Sequence, residues 1–306
     1  MAGGQLGSIS HIQVGGNDVL QFNLAAGTGN RFFVDSGVTG ATDSTGYGQT
    51  PSAPFATIDY AVGQCTANNG DIIYVMEGHA EVVSAAGGLD LDTAGITIIG
   101  LGKGPNQPTV TLDTATTADV DVDAAGITVE NINFVANFAD IAAAIDVNAD
   151  DFTLRGCRFT SAATNMNALI WIQDAAAGGS DRITVENCYA LDKDAANTHF
   201  INYAGTGDGH IFRNNILMVD AGTVAVGGAG VITNCLIQNN IINNAASTSD
   251  ACIGLAATAT GCVVGNMCAG AAVQANGVTA TACLIAENYY GVLAEDLSAI
   301  LDPIAT

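Results

Sequence analysis

From residue 88 onward the chain alternates apolar and polar positions in short runs. "GLDLDTAG" (88–95), "DVDVDAAG" (119–126) and "AIDVNADD" (144–151) place Leu, Val and Ile on one side and Asp or Asn on the other. Alternation at period two marks strands with one buried face. Similar runs begin at Ile170 ("IWIQDAAAGG"), Phe200 ("FINYAGTG") and Val224 ("VAVGGAG"). Each is followed by a second phrase, of which "ITVENINF" from Ile127 and "ITVENCYA" from Ile183 are nearly identical copies. The same template fits "ITIIGLG" from Ile96, "FTLRGCRF" from Phe152, "HIFRNNIL" from His210, "CLIQNNII" from Cys235, "CVVGNMCA" from Cys262 and "CLIAENYY" from Cys283. Successive starts differ by 21 residues (262 to 283) to 31 residues (96 to 127). Two or more short strands per period, with no helical pattern between them, predict an all-β solenoid of parallel strands with roughly nine or ten coils.

The columns of this alignment assign faces. The third template position reads Ile98, Val129, Leu154, Val185, Phe212, Ile237, Val264, Ile285 and belongs in the core. The fourth includes Glu130, Arg155, Glu186 and Arg213, an outward ladder of alternating charge. The fifth is Gly or Asn in nearly every copy (Gly100, Asn131, Gly156, Asn187, Asn214, Asn239, Asn266). Those residues tolerate left-handed backbone at a bend, and stacked Asn amides can bond along a ladder. Cysteines fall into columns as well, Cys157 with Cys188, and Cys235 with Cys262 and Cys283, read here as small buried apolar residues.

Charge narrows the partners. The formal net charge is −23, with 30 acidic residues against seven basic ones, and no basic residue follows Arg213. Nucleic-acid binding needs a basic footprint, so a DNA or RNA partner is excluded. The opening "MAGGQLGSISHIQVGG" lacks the basic and apolar regions of an export signal, and no run approaches the ~20 apolar residues of a membrane span. A soluble chain with no membrane partner is expected. Eight cysteines include no CxxC pair, which argues against zinc.

Ahead of the repeats stand a Gly/Thr/Ser-rich acidic loop, "PFATIDYAVGQC" (54–65) and "GDIIYVMEG" (70–78). Pro54 with Ile58, Ala61 and Val62 at helical spacing predicts a short helix that caps the open end of the solenoid. At these residues the chain resembles the pectate-lyase-like right-handed parallel β-helix superfamily, over about residues 31 to 290. More narrowly it resembles β-helix virion proteins of tailed bacteriophages. The resemblance implies a single-stranded right-handed parallel β-helix at 31–290, an N-terminal arm or anchoring segment at 1–30, and a C-terminal cap or tail at 291–306. It also implies a non-catalytic structural protein of the virion, as capsid decoration or tail fibre. The expected partners are two further copies in a homotrimer, other virion proteins such as the major capsid protein, and a host-surface glycan. The alternatives are a tailspike-like polysaccharide-binding or polysaccharide-degrading β-helix, acting as a lyase or glycoside hydrolase, and a surface adhesin.

The site inventory is acidic. Stacking "LDLD", "VDVD" and "IDVN" puts Asp90, Asp121 and Asp146 in one outward column and Asp92, Asp123 and Asn148 in the next. Like charges about 4.8 Å apart repel, and oxygen-only ligands suit calcium, so Asp90, Asp92, Asp121, Asp123 and Asp146 form the candidate metal set, with calcium the one cofactor weighed. Paired carboxylates would also serve glycoside hydrolysis. Asp121 and Asp146, with Trp171 expected in the same outward column as a stacking platform, form the candidate carbohydrate site. A lyase base is missing, because Lys103 and Lys193 read as turn residues and Arg155 and Arg213 belong to the charge ladder. His79 and His210 read as turn or solvent-exposed histidines. No residue is assigned a catalytic role.

Overall fold

The computed structural model describes residues 29–292 apart from 164, 175–177, 193, 246–250 and 271–276, with the backbone of strands Ile12–Val14, Asn17–Leu20 and Asp302–Pro303. The proposed arms at 1–30 and 291–306 and the turn residue Lys193 thus lie almost wholly outside the described residues. Each template phrase is two strands and the corner between them. In "ITVENINF", Thr128–Glu130 joins a first sheet of ten strands that starts at Arg31–Val34 and ends at Leu284–Ala286. Asn133–Ala136 joins a second ten-stranded sheet. The alternating runs, such as Val120–Val122 and Ile145–Val147, build a third sheet of eight strands.

Strands pair in parallel with the strand one coil away, so the chain is a parallel β-helix. The eight-stranded third sheet sets about eight complete turns rather than nine or ten. The difference lies at the N-terminal end, where Arg31–Val34 and Ile72–Val75 precede the first strand of the third sheet, Leu89–Asp90. Among the described residues no helix is long and apolar enough to cross a membrane.

Helix α1, Ile58–Val62, occupies the vacant place. The Tyr60 N–H donates to the Thr57 hydroxyl at 3.3 Å, an N-cap that fixes where the helix starts. That start is four residues past Pro54, later than expected, because the Ala56 and Thr57 N–H groups donate to Asp43 and hold the preceding chain extended. Ile58, Ala61 and Val62 are buried, and Ile58 reaches into the coil beside Leu89, Leu91 and Ile98, leaving a void of only about 10 Å³. Asp59 accepts the Asp90 N–H at 3.1 Å, which satisfies part of the exposed edge of the third sheet. The "GD" Asp71 is fully buried and accepts from the Asn30 and Thr66 N–H groups and the Asn69 amide. Burial alone would raise this carboxyl, but those bonds hold it below its ordinary range.

Seven corners between the first and second sheets use left-handed backbone: Asn131, Gly156, Asn187, Asn214, Asn239, Gly265 and Glu287, with φ between 55° and 68°. The expected Gly/Asn column is present, with one slip. Ile237 pairs with Val263 rather than Val264, so Gly265 takes the corner and Asn266 moves one place inward. The same slip sets Cys235 opposite Gly261 and Cys262 opposite Leu236 and Leu284, so Cys235, Cys262 and Cys283 do not form one column. All eight cysteines are free thiols.

The residue after each corner points inward, reading Ile132, Cys157, Cys188, Asn215, Asn240, Asn266 and Asn288, all buried. From Asn215 on, this column is an amide ladder. Asn240 Oδ1 accepts the Asn215 N–H at 2.9 Å and the Asn215 side-chain amide at 3.1 Å, while its own Nδ2 donates to Phe212 O and Asn266 Oδ1. Asn266 repeats the pattern with Asn288 Oδ1 and Ile237 O. The ladder lies one position inward of the corner column expected to carry it.

Two outward columns flank these corners. In the first sheet Thr97, Thr128, Thr153 and Thr184 stack, and the column continues as Ile211, Leu236, Cys262 and Leu284. In the second, Asn133, Arg158 and Tyr189 are followed by Ile216, Ile241, Met267 and Tyr289. The expected charge ladder forms beside the threonines. Glu186, 5% exposed, accepts from Arg155 Nε at 2.6 Å and Arg213 Nε at 2.7 Å, and Arg155 also bonds Glu130.

Asn240→Ala is expected to cost about 2–4 kcal/mol in urea unfolding, because it orphans buried donors and acceptors on both neighbouring coils. Asn239→Gly, which keeps the left-handed corner, should change stability by less than about 0.5 kcal/mol.

Candidate functional site

The outer face of the third sheet gathers the acids as the strand pattern requires. Asp90 pairs with Asp121 and Asp121 with Asp146, one rung apart, and the Asn148 amide donates to Asp123 in the adjoining column at 3.0 Å. The column then changes character. Asp146 pairs with Gln173, Gln173 with Asn202, Asn202 with Gly227, and Gly227 with Gly254.

Trp171 does not belong to this column. It precedes Ile172, which pairs with Ile145, and two successive inward residues break the alternation where the strand leaves its corner. The indole is fully buried, packs edge-on against Phe159 with centroids 5.5 Å apart, and donates Nε1–H to Asp192 at 2.9 Å. It therefore offers no platform to a sugar. His79 and His210 are also buried rather than exposed, each about 1% accessible. His79 accepts the Ser36 N–H at Nδ1 and faces Glu81, and His210 accepts the Ile183 N–H and stacks on Tyr203.

Gln173 and Asn202 occupy the outward places instead. Asn202 Nδ2 donates to Gln173 Oε1 at 3.0 Å, and Gln173 Nε2 turns away from Asp146 to the Asp174 carbonyl at 2.8 Å. Asp146 Oδ1 is left buried and without a hydrogen-bond partner, as are Asp90 Oδ1 and Asp174 Oδ2. Beyond Asn202 the face opens into a cleft of about 690 Å³ lined by His199, Asn202, Thr223, Gly228, Gly254 and Thr279, among others. Its floor is backbone. A Cβ at Gly228 (φ 153°) would stand 2.4 Å from Tyr203 O and 2.5 Å from Asn202 Oδ1. His199 bonds the Thr198 hydroxyl at 3.1 Å, and burial lowers its pKa to about 4, so it is a neutral imidazole at pH 7. Aligning "AIDV", "WIQD", "FINY" and "CIGL" on their inward isoleucines shows the Asp146–Gln173–Asn202–Gly254 column in the sequence. His199 carries no such signal.

Burial first, and neighbouring carboxylates after it, shift these groups upward. Burial, then Asp119, Asp123 and Asp90, raise Asp121 to about 6. Burial with Asp92, Asp123 and Asp59 raises Asp90, and burial with Asp121 and Asp123 raises Asp146. Asp174 rises to about 7 through burial, against the Ser180 N–H that bonds its Oδ1 at 2.9 Å. A proton on one carboxyl relieves the repulsion between neighbours, and a bound cation would do the same. Among the described residues no group of three or more His, Cys, Asp or Glu side chains is arranged to hold a metal ion. The set Asp90, Asp92, Asp121, Asp123 and Asp146 is thus a run of stacked carboxylates rather than a convergent cage.

No protein-family model matches the sequence, and no curated protein matches it. Solved structures do. A pectin methylesterase from Aspergillus niger, in deglycosylated form, aligns over 90% of this chain and 89% of its own with TM-score 0.54 and 16% identity. A rhamnogalacturonan lyase aligns over 89% of this chain and 65% of its own with TM-score 0.46 and 12% identity. A lacto-N-biosidase from Eubacterium ramulus aligns over 86% and 68% with TM-score 0.35 and 11% identity. The first likeness establishes the pectate-lyase-like parallel β-helix fold, and the fold alone.

A carboxyl whose pKa is raised on folding binds more protons folded than unfolded between its ordinary value and its raised one, so stability grows as pH falls through that window. Thermal stability is expected to rise on acidification from pH 8 to about pH 6.5; below that the gain from the carboxyls is opposed by His199 and His210, which burial lowers to about 4 while the unfolded chain takes up their protons. Below about pH 4 it falls, as Asp71 and Glu186, both held low by hydrogen bonds, become protonated. Asp174→Asn should stabilise the protein at pH 8 by on the order of 2 kcal/mol and flatten the profile above pH 6, measured by urea unfolding at both pH values. A rise at pH 8 produced by millimolar calcium and absent at pH 5 would identify a metal ion as the counter-charge instead.

Proposed function

We propose that this chain binds a neutral polysaccharide along the outer face of the third sheet and cleaves it at Asp121 and Asp146. The observation that carries this reading is that Asp121 and Asp146 stand one rung apart in an outward column that runs on through Gln173 to Asn202 at the edge of the cleft, with burial and neighbouring carboxylates pushing Asp121 up to about 6. Glycoside hydrolysis uses one protonated acid and one carboxylate. They stand ~5 Å apart when the carboxylate attacks the sugar carbon and ~6.5–9.5 Å apart when it activates water. One rung of about 4.8 Å favours the first geometry. In that geometry one carboxyl of the pair gives its proton to the glycosidic oxygen as the C–O bond breaks, the other, as carboxylate, bonds the sugar carbon, and water then displaces it, the water's proton returning to the first carboxyl. Gln173, Asn202 and neutral His199 offer hydrogen bonds to hydroxyl groups along the strand. The uncompensated aspartates oppose a polyuronate, which selects a neutral glycan. The shared fold with a carbohydrate-active enzyme is consistent with this use of the surface.

A second reading, a non-catalytic structural protein of a tailed-phage virion with the capsid as partner, is favoured by the exposed apolar columns at Ile216–Tyr289. Incubation with neutral glucans, galactans and mannans, read by released reducing ends and by retardation in glycan-containing gels, separates the two. Asp121→Asn and Asp146→Asn are each expected to lower cleavage at least ~10³-fold with retardation and the circular dichroism spectrum unchanged. Absence of both cleavage and retardation, with antibody labelling of intact virions, would establish the second reading.

A further inference from the structure

We infer that copies of this chain pack side by side through the flank where the first and second sheets meet over the last four coils. The inference is independent of the carbohydrate reading, because this corner lies across the coil from the third sheet. In these coils the outward threonine column gives way to apolar residues, and the column beyond the corner is Ile216, Ile241, Met267 and Tyr289. Their exposures are 37%, 42%, 47% and 39%, and Leu284 reaches 63%. Large apolar side chains exposed at one register position in four successive coils form a continuous stripe rather than scattered surface residues.

Size and charge select the occupant. Four coils at ~4.8 Å and a width of ~20 Å give about 400 Å² of apolar surface, enough for the apolar centre of an interface that buries ~800 Å² per partner inside a polar rim. The chain carries a net charge of −23, so two copies meet at least cost through the face with the fewest carboxylates. On this flank, among the described residues between Ile211 and Gly291, the charged residues are Arg213 and Glu287, of opposite sign, and half-buried Asp220 at the far end of the second sheet. A basic protein partner would be drawn to the aspartate column of the third sheet. An uncharged stripe on an acidic rod fits another copy of the same rod, and lengthwise packing keeps the stripe in contact along all four coils while the acidic face stays outward.

Light scattering coupled to gel filtration on the full chain at about 50 µM tests this. The expected mass is that of a dimer or trimer, held or strengthened when salt rises from 0.05 to 1 M, since salt screens the residual repulsion and leaves apolar contact intact. Ile241→Glu with Met267→Glu should raise the dissociation constant at least tenfold with the circular dichroism spectrum unchanged. Met267→Gln alone, close in volume and uncharged, is the milder probe if the double variant folds poorly. A monomeric wild type at 1 M salt, or an oligomer that both variants leave intact, overturns the inference.

Discussion

In a parallel β-helix each side chain stands about 4.8 Å from the residue that holds its own position in the next coil. That spacing is fixed by the backbone ladder and cannot relax, so whatever chemistry a position carries is repeated against itself. Columns that gain from repetition become the framework, and columns that lose from it must find relief. The buried asparagines belong to the first kind. An amide has one acceptor and two donors, so it can accept from one neighbour and donate to both the next amide and a strand carbonyl. Asn215, Asn240, Asn266 and Asn288 use this capacity to hold four corners in register where the hydrophobic side chains thin out. Toward the N-terminal end the same position is Ile132, Cys157 and Cys188, and the aromatic stack around Phe134, Phe159, Phe200 and Phe212 fills the coil.

The aspartate column is of the second kind. Stacked carboxylates lose by repetition, and among the described residues no arginine or lysine is ion-paired with Asp90, Asp121 or Asp146, although Arg155 and Arg213 neutralise Glu186 on the neighbouring sheet. Two sheets of one solenoid thus treat the same problem differently. The first sheet alternates sign and becomes inert surface, whereas the third keeps one sign and holds protons at pH values where isolated aspartates would have lost them. A fold of fixed rungs offers this tuning directly, since the number of carboxylates in a column and the depth of each set how far its members shift.

Much of this was legible in the sequence because the repeat makes each position its own control. The charge ladder, the left-handed corners, the inward isoleucines and the Asp90–Asp121–Asp146 register all follow from aligning "ITVEN" and "DVDVD" phrases. Two of the positions that escaped share one physical origin: alternation fails at corners. Trp171 and Ile172 both point inward as the strand enters the sheet, so counting by twos from Ile170 sends the tryptophan outward and hides Gln173. Val263 takes the core place expected for Val264 for the same reason, since Gly265 and not Asn266 makes that bend. The buried His79 and His210 were missed because their satisfaction depends on Ser36 and Ile183, 43 and 27 residues away in sequence.

Fixed rungs also separate the two faces of the rod. A column keeps its direction from coil to coil, so a substitution that changes one rung alters a stripe without reaching the opposite side. The aspartates crowd the third sheet, and the apolar residues of the last four coils crowd the corner across from it. Charge repulsion between rods then acts against contact through the aspartate face more than through that corner. The same distribution that raises the carboxyl pKa values on one face leaves the other as the least costly place for association. Proton retention on the third sheet and apolar exposure at the far corner are two consequences of sorting residues into columns that the backbone will not let drift.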